Sequence, residues 1–195
     1  MKKVILLLLI IIFSISTFGQ KSEFKLIALD STWGQEVIRF PARHMDYIGV
    51  GEIRFPPKRS WIKPEHPFFW SYTYAWNINV NRKIPEKELE IALVKYFNSL
   101  NKVDMNAATD NRYASAKMTK TKKEKLTTYF KGYVKTFDRF ATNKRIKLNV
   151  LIESSYCKKK QRTFILFKFS PKNFNHTIWR TLKKIKIYNH LCNNQ

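Results

Sequence analysis

Few acids and bases in this chain are placed to move a proton, and they are scattered. The four histidines are His44, His66, His176 and His190. His44 and Asp46 would form a general-base pair only in an extended segment, because residues two apart share a side only in a strand. Glu65-His66 falls in a proline-punctuated loop running from Lys58 to Pro67. Glu52 is the one acid of an otherwise apolar strand, either a candidate acid or base or a partner for Arg54 on a solvent face. No Gly-x-Ser-x-Gly, His-Glu-x-x-His or Cys-x-x-Cys occurs, and with 5 glycines there is no glycine-rich phosphate loop. No residue is assigned a catalytic role, and no cofactor is implied. Cys157 and Cys192, without a histidine at ligand spacing, do not make a tetrahedral metal set.

The stronger chemical signal is charge with aromatics interleaved. The net charge is +23. Residues 20–111 carry 13 Lys/Arg against 11 Asp/Glu, whereas residues 112–195 carry 22 against 3. Such asymmetry suits an anionic partner, though a chain rich in Lys, Asn and Ile also follows from an AT-rich gene. Lys131, Lys135 and Arg139 share one face of an expected strand, with Tyr129, Tyr133 and Phe137 among them. Lys158, Lys159, Lys160 and Arg162 crowd one expected hairpin tip. Both groups are candidate anion-binding residues, for phosphates or sulfates held with salt-sensitive affinity.

Positioning these residues falls to the surrounding elements, and the most pronounced of them is Phe68 to Val80. Read with a period of two, Phe68, Trp70, Tyr72, Tyr74, Trp76, Ile78 and Val80 lie on one face, and smaller, mostly polar residues on the other. This is a long central strand. Its aromatic face is either core beneath helices or a ligand groove formed by Trp70, Tyr72, Tyr74 and Trp76, stacking on a sugar, base or lipid.

Upstream, Glu36 to Phe40 and Tyr47 to Phe55 read as strands, the first stopped by Pro41; Gly49 and Gly51 suggest a bulge or a close backbone approach. After Pro85, Leu89, Leu93, Tyr96 and Leu100 recur at helical spacing, with Glu86, Glu88 and Glu90 at the positive end of the dipole. Residues 101–125 are polar and read as a long surface connection. Tyr129 to Phe140, Ile146 to Ile152 and Thr163 to Phe169 follow as strands, and a helix from about Asn175 presents Ile178, Leu182 and Ile185. The expected fold is α+β: an antiparallel sheet of about six strands with two covering helices, in halves of about 20–100 and 126–195 whose order suggests a βββα duplication.

Lys2 and Lys3 precede an apolar run from Val4 to Phe13, and Thr17-Phe18-Gly19 offers a cleavage site before Gln20. Residues 1–19 thus read as a signal peptide, with an uncleaved anchor as the alternative, and residues 20–195 as one exported domain without a later membrane span. In an oxidising compartment Cys157 and Cys192 suit a disulfide; two free buried thiols are the alternative.

Three segments carry a resemblance: Gly51-Glu52-Ile53-Arg54-Phe55-Pro56, Phe69-Trp70-Ser71-Tyr72 with Trp76, and Tyr96-Phe97-Asn98-Ser99-Leu100. So do Phe137-Asp138-Arg139-Phe140, Leu148-Asn149-Val150, Cys157, Ser170-Pro171, Trp179 with Leu182, and Cys192. Together they resemble small secreted bacterial proteins of uncharacterised type, over nearly all of the mature chain. The resemblance implies one exported domain with both cysteines as family features, favouring the bridge. It implies no activity, cofactor or site residue.

The resulting expectation is a non-enzymatic periplasmic or secreted binding protein. Its cationic second half would recognise an anionic envelope polymer or an acidic protein; nucleic acid is not expected as the native ligand. The alternatives are a hydrolase-like periplasmic enzyme using Glu52, His44 and the aromatic groove, and a specific inhibitor or immunity-type protein.

Overall fold

The computed structural model describes residues 24–42 and 45–192. The expected leader at residues 1–19 lies outside them, as do His44 and the side chain of His190. In chain order the strands and helices are β1 (Ile27–Ala28), β2 (Gly34–Ala42), β3 (Met45–Phe55), β4 (Tyr72–Ile78), α1 (Glu86–Asn101), β5 (Ser115–Lys123), β6 (Thr127–Asp138), β7 (Lys144–Cys157), β8 (Arg162–Ser170), α2 (Ile178–Lys184) and β9 (Lys186–Ile187). Short 3-10 segments occupy Pro57–Ile62 and Asn189–Leu191. The architecture is α+β. Seven strands form one antiparallel sheet in the order β2-β3-β4-β8-β7-β6-β5, and β1 pairs with β9 separately. The expected six strands are therefore seven in the main sheet plus two, and 3-10 segments accompany the two α-helices.

Strand pairing sorts the side chains onto two faces. Tyr72, Tyr74 and Trp76 of β4 stand opposite Phe169, Phe167 and Ile165 of β8. These in turn continue to Val150, Ile152 and Ser154 of β7. Leu89, Leu93, Tyr96 and Phe97 of α1 pack on this face and complete the larger core. Gly51 makes room there: a Cβ on it would lie 2.6 Å from the Tyr74 ring and 2.9 Å from Phe40. The other face carries Ala75 and Leu166, covered by Leu26, Ile27 and Trp33 from the amino-terminal segment and by Ile178, Trp179 and Leu182 of α2. The central strand is thus buried on both sides, Thr73 and Ala75 being fully buried like Tyr74 and Trp76.

Three expectations change. The long aromatic strand shortens to Tyr72–Ile78, because Phe68 to Ser71 turns after Pro67, with Ser71 N donating to Phe68 O at 2.8 Å and Trp70 N to Trp61 O at 2.8 Å. Trp70 takes a left-handed φ of 47°, which breaks the alternation and sends Phe68 and Trp70 into different cores.

The polar connection contains an edge strand, β5. An edge strand with one open face buries only its inward residues, here Met118 and part of Ala116, so it lacks the apolar content that marks a central strand. Its outer edge is occupied by α1. Asn98 Oδ1 accepts the amide of Ala114 just before the strand at 2.7 Å, Glu90 Oε1 that of Met118 at 2.9 Å, and Glu86 Oε1 that of Lys120 at 2.7 Å. Groups that would otherwise pair with another chain are satisfied within this one.

Finally, the repeated strand-strand-strand-helix order is not a geometric repeat. The halves meet at the antiparallel β4–β8 pair, but α1 and α2 pack on opposite faces. A two-fold axis normal to the sheet would place both on the same face.

Candidate functional site

Glu52 is fully buried, and its oxygens are occupied. One oxygen accepts the backbone amides of Leu26 and Ile27, the latter at 3.0 Å; the other takes the Gln35 amide at 3.0 Å and contacts Arg54 Nε at 2.6 Å. Arg54 Nη1 donates to Trp33 O at 3.2 Å. Glu52 therefore pins the amino-terminal segment to the sheet. It lies on the α2 face, opposite the Tyr72–Tyr74–Trp76 face, so the structure does not bring it to the aromatic groove. His66 Nδ1 accepts the Phe68 amide at 3.1 Å and His176 Nδ1 the Ile178 amide at 3.2 Å, local turn contacts in each case. Asp46 pairs with Lys95. Among the described residues no three His, Cys, Asp or Glu could hold a metal ion, and no helix is long and apolar enough to cross a membrane.

The expected groove residues separate. Tyr74 and Trp76 are fully buried beneath α1 and serve as core. Trp70 and Tyr72 form the floor of a cleft of about 480 Å³, whose mouth is lined by Glu36, Phe55, Trp61 and Phe140. Trp70 Nε1 and the Tyr72 hydroxyl lie beside Asp138 and Tyr96 respectively, without a hydrogen bond in line. Burial raises Asp138, but bonds from the Thr142 side chain and the amides of Thr142 and Phe140 outweigh it and hold the carboxyl below its usual range.

A second surface is the open part of the sheet. The sheet is roughly 29 Å across, for six interstrand spacings of about 4.8 Å. α2 has seven residues, about 10 Å of helix. Its layer covers the middle of the face, and the outer ends of β6 and β7, with β5, stay open. Along β6 the even residues from Thr128 to Asp138 are buried, except Gly132, and the odd ones are half-buried or exposed. Tyr129, Lys131, Tyr133, Lys135 and Phe137 therefore face outward together. Gly132 allows β5 to approach, since a Cβ there would meet Lys117 O at 2.0 Å.

Pairing adds residues to this face that the sequence did not single out. Lys135 stands directly opposite Lys147 of β7, and Tyr133 opposite Asn149 on one side and Lys117 on the other. Lys147 Nζ lies 4.7 Å and Lys135 Nζ 5.9 Å from the Tyr133 ring centre. Lys131 Nζ lies 4.2 Å from the Phe174 ring. Lys131, Lys135 and Lys147 have no carboxylate partner among the described residues, whereas Lys117 reaches Glu90 at 3.6 Å and Lys122 pairs with Glu124. Lysines directly opposite one another repel, a cost that Tyr133 partly offsets by cation–π attraction. The signal for Lys147 was its place between inward-facing Ile146 and Leu148, but its neighbour across the sheet depends on register.

The two expected basic clusters are not one site. Arg139 leaves the Lys131–Lys135 face: its Nη1 donates to Leu100 O at 3.0 Å, and its guanidinium lies 5.7 Å from the Phe140 ring. Lys158, Lys159, Lys160 and Arg162 do crowd the β7–β8 turn, eleven residues along β7 from Lys147, or roughly 35 Å at about 3.3 Å per residue. Cys157 and Cys192 are joined by a disulfide with Cα atoms 5.7 Å apart. It ties the carboxyl-terminal segment to that same turn.

Compared with known proteins, the chain matches no family model, no curated protein and no solved structure.

Proposed function

We propose that the protein is an exported, non-enzymatic binding protein whose open β5–β7 face holds an anionic polymer of the cell envelope. The observation that carries this reading is the Lys135–Lys147 cross-strand pair, both of whose ammonium groups lie near the ring of the neighbouring Tyr133. Two like charges face one another on an uncovered sheet with no carboxylate beside them, and an anionic ligand relieves that repulsion. Tyr129, Tyr133 and Phe137 supply flat apolar area along the same row. The disulfide agrees with an oxidising compartment. A regular polymer fits better than a compact anion because the unpaired lysines are spread along and across strands. Lys131 and Lys135 are four residues apart, roughly 13 Å.

The test is binding of the mature protein to a sulfated polysaccharide and to lipopolysaccharide across a salt series. Charge reversal at Lys135 and Lys147 is expected to weaken binding at least tenfold and to flatten the salt slope by roughly two, as loss of two ion contacts requires. Reversal at Lys158, Lys159 and Lys160 is expected to change it little. Binding that follows the turn variants instead would overturn this reading, as would binding indifferent to both sets.

A further inference from the structure

The cleft at the β2–β3 edge plays no part in that proposal, and its chemistry is of the opposite sign. Its wall is aromatic: Phe55 stacks on Trp61 at 4.9 Å, Trp61 meets Phe140 edge-on at 5.7 Å, and Trp70 and Tyr72 close the floor. Its volume of about 480 Å³ lies within the range of small-molecule sites. The loop that builds one wall is strained. Lys58, Arg59 and Trp70 hold φ values of 56°, 53° and 47°, a left-handed conformation that residues with side chains adopt rarely. Such strain persists where surrounding packing enforces it, and it concentrates at ligand clamps.

One carboxylate enters this cleft. Glu36 stands opposite Ile53 in the β2–β3 pairing, so it projects to the α1 side, where it lines the mouth. It has neither an ion pair nor a hydrogen bond among the described residues, although the chain carries 37 Lys and Arg against 14 Asp and Glu. In that excess of cations, Glu52, Glu88, Glu90, Glu124 and Glu153 each have a cationic partner. Arg139, next to Phe140 in the chain, is already engaged with Leu100 O and lies 5.7 Å from the Phe140 ring.

The ring faces attract positive charge through their quadrupoles, the carboxylate compensates it, and Ile38, Ile53 and Leu100 take an apolar body. The exposed surface of the cleft is mostly apolar, which suits an apolar body better than a polyol, and an anionic lipid would meet Glu36 at the mouth. We propose that this cleft binds a small hydrophobic organic cation, a quaternary ammonium or a protonated amine carrying an apolar group.

The probe is benzyltrimethylammonium, titrated by calorimetry and by tryptophan fluorescence. Its controls are the uncharged isostere neopentylbenzene and the anion benzenesulfonate. Saturable binding of the cation is expected, at least tenfold tighter than either control. Glu36→Gln, at an exposed edge position that leaves the melting temperature unchanged, should weaken it about tenfold. Trp61→Ala should do the same, and Lys135→Glu should have no effect. Equal binding of the isostere, tighter binding of the sulfonate, an unaffected Glu36→Gln variant, or no saturation at millimolar cation would each overturn the proposal. These outcomes are independent of polyanion binding on the far side of the sheet.

Discussion

Glu52 Oε2 accepts the backbone amide of Ile27 at 3.0 Å across a separation of 25 residues. The same oxygen accepts the Leu26 amide, so one buried carboxylate fixes the register of the amino-terminal segment against β3. Leu26 and Ile27 are fully buried, and Ile27 pairs with Ile187 after α2. One carboxylate on β3, next to the edge of the sheet, therefore anchors the segment that pairs with β9.

Replacing that carboxylate with an amide removes the charge that balances Arg54 and turns part of an acceptor into a donor facing backbone N–H groups. Glu52→Gln should lower the unfolding free energy by about 2–4 kcal/mol, the range for breaking a buried charged network. A shifted denaturant midpoint would register this, together with faster hydrogen exchange at the amides of Leu26 and Ile27. An unchanged midpoint would mean that the contact is incidental.

The Cys157–Cys192 bridge closes a loop of 35 residues. The chain-entropy model assigns such a loop about 3–4 kcal/mol of stabilisation. The double serine variant should lose about that much in denaturant unfolding, while the polyanion affinity of the open face, far along β7, stays the same. A loss of affinity in the still-folded variant would place the ligand at the Lys158 turn.

Stability should fall with rising pH above about 10. Burial raises Tyr72, Tyr74 and Tyr96 above the usual tyrosine value, and the Glu36 charge adds a smaller rise at Tyr74 and Tyr96. Their unfolded counterparts ionise near pH 10, so above that pH the unfolded state has released protons that the folded state keeps. The stabilisation is complete below pH 10 and is then lost, at up to about 1.4 kcal/mol per pH unit for each tyrosine. Lys168 acts the other way. Burial lowers it despite Glu153, so its contribution to stability rises with pH until about 10.5. Ultraviolet titration should show Tyr72, Tyr74 and Tyr96 ionising only as the near-ultraviolet circular dichroism collapses. Smooth titration of these three in the folded protein would refute the burial argument.

Much of the secondary structure was legible because its signal is local. The Leu89, Leu93, Tyr96 spacing marks α1, and the alternation through Ile146, Leu148, Val150 and Ile152 marks β7. β5 was not legible, because Lys117, Thr119, Lys120 and Lys122 resemble a loop until β6 and α1 are seen to satisfy their strand. Nor was the early end of the aromatic strand, since Trp70 keeps the parity of Tyr72 in sequence and departs from it only through its left-handed backbone.

The amino-acid order alone established an α+β chain, a central aromatic strand, a cationic second half, and two cysteines suited to pairing. Period, charge and composition are properties of neighbours along the chain, and each of these rests on them. Tertiary structure decided which charges meet. It set Lys147 against Lys135, moved Arg139 away, and separated the Lys158 turn from both by most of a strand's length. It also brought Glu36, Trp61 and Phe140 around one cleft, from segments more than twenty residues apart. The physical reason is that strand register and the reach of a seven-residue helix over a seven-stranded sheet arise from long-range packing, and that packing determines which part of a face is left for a ligand.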